Sequence, residues 1–120
     1  MNEFGREERV GAEIRRELAV LLRDEARDPR LTKVTVQEVR VVRDLSHAKV
    51  YFTVMDSAEA KATESALNKA SAFLRLGLAE KMNLRVVPRL AFVYDKSIET
   101  GNRLSSLIDQ AVANDGKRGD

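Results

Sequence analysis

The sequence predicts an α+β domain of order α-β-β-α-α-β-α, a three-stranded mixed sheet with helices on one face. Three observations carry that reading. Apolar residues recur at helical period through residues 6–25. Two segments rich in β-branched residues, KVTVQEVRVVRD and AKVYFTVM, are separated only by the short link DLSH. A long helical region then leads into a third such segment, RVVPRLAFVYD, and a last helix.

Residues 1–5 read as a frayed end. From Arg6 to Glu25, Val10, Ile14, Leu18, Leu21 and Leu22 form one helical stripe. Pro29 forbids helix beyond Asp28, because the residue before a proline is pushed out of the helical region, so RDPRL is a connector. In the first strand Val34 and Val36 share one face while Val39 and Val41 share the other, and a bulge near Gln37–Glu38 would realign them. The second strand alternates cleanly, with Ala48, Val50, Phe52 and Val54 inward and Lys49, Tyr51 and Thr53 outward. The two make an antiparallel hairpin. The first strand is the more continuously apolar and is placed in the centre, with the third strand able to return parallel to it.

Ser57 can cap a helix from about Ala58, with a buried stripe of Ala62, Ala66, Leu67, Ala70, Phe73, Leu74, Leu78 and Met82. This region is long enough for two helices. Pro88 stands near the start of the third strand, where proline is tolerated. Ser97 or Asp95 caps the last helix, whose core positions are Ile98, Leu104, Leu107, Ile108, Ala111 and Val112. Residues 1–113 form the domain, and 114–120, polar and small, are expected to be a disordered tail.

With 120 residues the chain holds one core. It has no cysteine and a single histidine, His47, which excludes a disulfide frame, a thiolate site and a histidine-rich metal centre. No secretory leader or membrane span is visible, so a cytoplasmic protein without cofactor or metal is expected. Net charge is only +2, but its distribution is uneven. Residues 65–94 carry five basic side chains against one acid, and 29–51 five against two. Such clustering suits a polyanionic partner and equally suits ordinary solvated surface. No phosphate-cradling glycine loop exists, and the Ser46–His47 adjacency sits in a turn without a positioned acid. No catalytic constellation is present, so the protein reads as a non-enzyme.

The segments GAEIRRELAVLL, DPRL, VTVQEVRVVRDLSHAKVYFTV and ALNKASAFLRLGLAEKMNLRVVPRLAFVYDKSIETGNRLSSLI, in this order and spacing, resemble the ribosome-binding factor A family across most of the chain. The resemblance implies a fold similar to the type II KH domain. It also implies a non-enzymatic assembly factor that binds the immature small ribosomal subunit through ribosomal RNA. Such a factor supports late maturation and cold adaptation, and is released by a ribosome-associated GTPase. The family lacks the GxxG loop of ordinary KH domains. Two helices meet instead at an Ala-x-Gly kink, and the corresponding residues here are Ala70, Ser71 and Ala72. Ala72 carries a Cβ and does not take left-handed geometry cheaply, whereas Ser71 can bond back to a preceding carbonyl and bend the axis.

On this reading the RNA surface is the outer side of the bent region. Lys69, Arg75 and Lys81 project from it, Arg85 and Arg89 follow, and Arg43 and Lys49 extend the patch from the hairpin. Their work would be phosphate contact, with Tyr51 and Tyr94 as the available stacking rings and Phe52, Phe73 and Phe92 in the core. A monomer is expected. The competing reading is a protein-interaction module without RNA contact that uses the acidic first helix.

Overall fold

The computed structural model describes residues 5–84 and 86–97. Helix α1 (Arg6–Asp24) buries Val10, Ile14, Leu18, Leu21 and Leu22 as one stripe, with Glu7 and Glu8 at the positive end of its dipole and Arg23 in its last turn. The DPRL connector is a built turn. Asp28 accepts from the Arg30 backbone N–H at 2.9 Å and pairs with its guanidinium at 2.8 Å, while Leu31 plugs the core.

Strand β1 (Thr35–Val41) pairs antiparallel with β2 (His47–Thr53), and the register slips between Val36 and Glu38. That is the expected bulge, and its effect is visible in the packing. Val36, Val39 and Val41 all end up facing the helices, opposite Phe52, Val50 and Ala48. The hairpin link turns through Leu45, which adopts φ 63°, costly for a branched residue. Asp44 holds the turn by accepting from the backbone N–H of Ser46 at 3.0 Å and from its hydroxyl at 2.6 Å.

The helical region after the hairpin divides. Helix α2 (Ala60–Lys69) and helix α3 (Ser71–Lys81) are separated by Ala70 alone, at φ −89° and ψ 2°. Those angles lie in the bridge region open to any residue, so no glycine is required there. The Ala70 N–H is shared between the carbonyls of Ala66 at 3.0 Å and Leu67 at 3.1 Å, the usual loosening of a helix end.

Strand β3 (Arg89–Tyr94) lies parallel to β2, giving the order β1-β2-β3. The central strand is therefore β2, and the expectation that β1 is central, with β3 parallel to it, is corrected. The valine density of β1 reflects its bulge and its cover by α1 rather than burial on both faces. The crossover through α2 and α3 returns beside the strand it left, as consecutive parallel elements usually do. Asp56, not Ser57, caps the helical region, accepting from Ala58 N–H at 3.0 Å ahead of a 3₁₀ turn. Ala62 and Phe73 are exposed rather than buried, Phe73 at 51 %, because Leu67, Leu74 and Leu78 take the core-facing positions. Phe73, one residue before Leu74, is thereby turned about 100° aside.

At its outer edge β3 meets α2 side chains. Asn68 spans Phe92, its carbonyl accepting from Phe92 N–H at 2.9 Å and its amide donating to Phe92 O at 3.1 Å. One helical turn back, Glu64 accepts from Tyr94 N–H at 2.9 Å. Two glycines set the packing distance of α1. A Cβ on Gly11 would stand 2.7 Å from Val39 O, and one on Gly77 would stand 2.9 Å from Leu21 Cδ2. The expected last helix with Ile98, Leu104, Leu107, Ile108, Ala111 and Val112, the boundary after residue 113 and the 114–120 tail lie outside the described residues. Among the described residues, no helix is long and apolar enough to cross a membrane.

Candidate functional site

The cations singled out in the sequence fall on different faces. Lys49 lies on β2 and Arg89 opens β3, both exposed on the sheet face away from α1, α2 and α3. Arg43 is exposed in the hairpin link. Lys69 is exposed at the end of α2. Arg75 is half-buried, its Nε donating to Val87 O at 2.9 Å, so it ties α3 to the approach to β3. Lys81 reaches the other way, 3.5 Å from Glu25 at the end of α1. Arg85 lies outside the described residues.

Between Arg75 and Lys81 the outward surface of α3 is apolar rather than basic. Ala72 and Ala79 are exposed there beside Leu76, 69 % exposed, and Val86, 59 % exposed. The residues Ala70, Ser71 and Ala72 stand where α2 gives way to α3, with Ala70 packed against the core and Ala72 turned outward.

On the open sheet face the register sets neighbours. Arg40 stands directly opposite Lys49, Glu38 opposite Tyr51, His47 opposite Arg89, and Ala91 opposite Lys49 on its other side. Arg40 donates to Glu38 at 2.7 Å, and its guanidinium lies over the Tyr51 ring, 5.4 Å from the centroid. Tyr94 instead turns inward, edge-on to Phe52 at 5.8 Å, so of the two tyrosines only Tyr51 faces outward. Arg40 and His47 are not among the binding residues expected from the sequence. The expected bulge is the signal that points to Arg40, since only after it does Arg40 share a face with Lys49.

No relay is assembled around Ser46 and His47. Asp44 accepts the Ser46 hydroxyl hydrogen at 2.6 Å, which leaves that oxygen an acceptor toward His47 Nδ1 at 2.9 Å. An acid that orients a histidine base would bond the ring, not the alcohol. The same hydroxyl, and then the Ser46 backbone N–H, hold the Asp44 carboxyl below its ordinary range. Among the described residues, no group of three or more His, Cys, Asp or Glu side chains is arranged to hold a metal ion.

The comparisons with known proteins agree with one another. The family model described as ribosome-binding factor A matches residues 6–108. The ribosome-binding factor A of Thioalkalivibrio sulfidiphilus is 54 % identical over 114 residues, which is 94 % of this chain and 88 % of the relative. The crystal structure of ribosome-binding factor A from Thermus thermophilus is similar at a TM-score of 0.67 and 32 % identity, covering 76 % of this chain and 97 % of that one. A homology model of the Thermus thermophilus ribosome-binding factor A, fitted into the cryo-electron-microscopy map of a complex of that factor with 30S, is similar at a TM-score of 0.62 and 32 % identity, covering 72 % of this chain and 91 % of that one.

Proposed function

This chain belongs to the ribosome-binding factor A family, and from that premise we propose that it binds the immature small ribosomal subunit through ribosomal RNA and promotes its late maturation. It works in the cytoplasm as a monomer, without catalysis and without a cofactor. Its action matters most in the cold, and a ribosome-associated GTPase assists its release. The observation that carries the reading is the family match over nearly all of the chain, joined to a similar protein placed in a 30S complex.

Phosphate contact is the chemistry that the side chains offer. Lys49, Arg89, Arg43 and Lys69 present exposed cations, while Arg75, Lys81 and Arg85 complete the proposed set. Contacts of this kind position a protein on RNA without reading its sequence, which suits recognition by shape and charge.

Fractionation of lysate on a sucrose gradient tests the proposal. The protein should travel with small subunits and lose that association after ribonuclease treatment. Sedimentation at the top of the gradient in untreated lysate would refute it. A second reading, a protein-interaction module without RNA contact, is favoured by the exposed Leu76 and Val86. It requires association that survives ribonuclease.

A further inference from the structure

Side chains directly opposite each other on adjacent strands stabilise a sheet when their charges differ and oppose it when they match. Three cations near the end of α1 are paired with nearby acids: Arg23 with Asp24, Arg30 with Asp28 and Lys81 with Glu25. On the open sheet face Arg40 is likewise paired, with Glu38 at 2.7 Å, but its neighbours are not. Arg40 and Lys49 are cross-strand partners. Glu38 engages Arg40 only, and among the described residues neither Lys49 nor Arg89 has an ion pair. Lys49 thus stands on the central strand opposite another cation, with no acid in ion-pair contact among the described residues.

The shape of the face matches its charge. Ala91 offers only a methyl group opposite Lys49, so it floors a shallow depression whose other walls include Arg40, Val42, His47, Lys49 and Tyr51. Partners across adjacent strands are about 5 Å apart at their Cβ atoms, close enough for two cationic heads to converge on one anion. Tyr51 beneath the Arg40 guanidinium adds a flat, cationic surface of the kind on which unpaired bases stack. On the helix side Arg75 is tied to Val87 O and Lys81 lies beside Glu25, which leaves Lys69 as the exposed cation without an ion pair there.

We propose that the open sheet face, from Arg40 through Lys49 to Arg89, is the seat of an RNA phosphodiester backbone. A phosphate sits between Arg40 and Lys49, and the strand continues toward Arg89. This inference rests on the RNA-binding reading above and specifies where that contact is made. Bound RNA also relieves the repulsion that the free protein tolerates.

The test measures affinity of the full chain for purified small subunits across a range of salt concentrations. Two variants lose the same charge: Lys49→Gln with Arg89→Gln on the sheet, and Lys69→Gln with Lys81→Gln on the helices. The sheet variant should bind on the order of tenfold more weakly, with the slope of log affinity against log salt reduced by about 1.5. It should melt no lower than the parent, and at low salt slightly higher. The helix variant should lose less than the sheet variant in both affinity and slope, while Lys49→Arg with Arg89→Lys should keep the parent slope. A sheet variant with parental affinity and slope, or a helix variant that takes the loss instead, would overturn the assignment. If the parent itself does not bind small subunits, the family-level reading fails, and this one with it.

Discussion

Gly11 sits at the closest approach of α1 to the sheet, so Gly11→Ala is the sharpest probe of how the two layers are spaced. The added Cβ would stand 2.7 Å from Val39 O, 3.6 Å from Val39 C and 3.5 Å from Val41 Cγ2. A carbon facing a carbonyl oxygen normally keeps about 3.3 Å, so the helix must retreat by roughly half an ångström. Val39 O is backbone, and no rotamer moves it aside. A gap of that size forfeits about a quarter of each dispersion contact that α1 makes through Val10 and Ile14. Overpacking of this kind costs about 1–3 kcal/mol, while alanine gains back up to about 1 kcal/mol of helix propensity. The net loss should be about 1–2 kcal/mol, or about 4–8 °C in Tm for a domain of this size. Gly77→Ala is the control. Its Cβ would meet the ends of Leu21, at 2.9 Å from Cδ2 and 3.1 Å from Cδ1, and a leucine can swing. That variant should stay within about 1 kcal/mol of the parent. Thermal melts of the two, recorded side by side, decide the matter. If Gly11→Ala melts with or above Gly77→Ala, the close seat of α1 on Val39 is not what limits the packing.

Asn68→Ala strips both edge groups of Phe92 of their partner, and urea melts should show a loss of about 1–3 kcal/mol; a parental midpoint would show the clip to be dispensable. Ala72→Gly should destabilise by about 1 kcal/mol, because Ala72 is an ordinary helical residue and the break lies at Ala70; a rise in Tm would show that the junction wants glycine. Asp44 has a folded-state pKa below its unfolded value, so its contribution is full above the ordinary carboxylate range and fades as pH falls through the lowered value. In acid titrations of stability, Asp44→Asn should therefore flatten the decline below about pH 4; an unchanged profile would remove the turn from the acid response.

The parts of the fold legible in the sequence were those with a local cause. The α1 stripe, the alternation of β2 and the bulge near Gln37 each follow from a repeat that only one backbone geometry satisfies. The motifs that carry the family resemblance also proved local. DPRL is the Asp28–Arg30 turn, and DLSH is the Asp44–Ser46 turn. Strand order was not legible, because the crossover decides which strand gains a second neighbour, whatever the apolar density of the strands. Phe73 misled because its spacing from Ala66 and Ala70 continues a helical stripe that Leu74 and Leu78 actually occupy. At the candidate site, single cations were legible but their faces were not. Arg75 and Lys81 stand six positions apart, a spacing that turns them to opposite flanks of α3. Arg40 joined Lys49 only through a register that the bulge sets.

The contacts of Asn68 and Glu64 with β3 bear on symmetry. Copies of a sheet protein that stack edge to edge in one direction need two unlike free edges, the first strand of one molecule against the last strand of the next, and such a contact repeats without end. Here the N–H and C=O of Phe92 and the N–H of Tyr94 are already bonded to side chains of α2. Among the described residues the edge of β1 has no such side-chain bonds, and a contact between two copies of the same edge closes on itself after a single twofold step. An Asn68→Ala, Glu64→Ala chain would reopen the unlike pair, and with it the geometry of a filament.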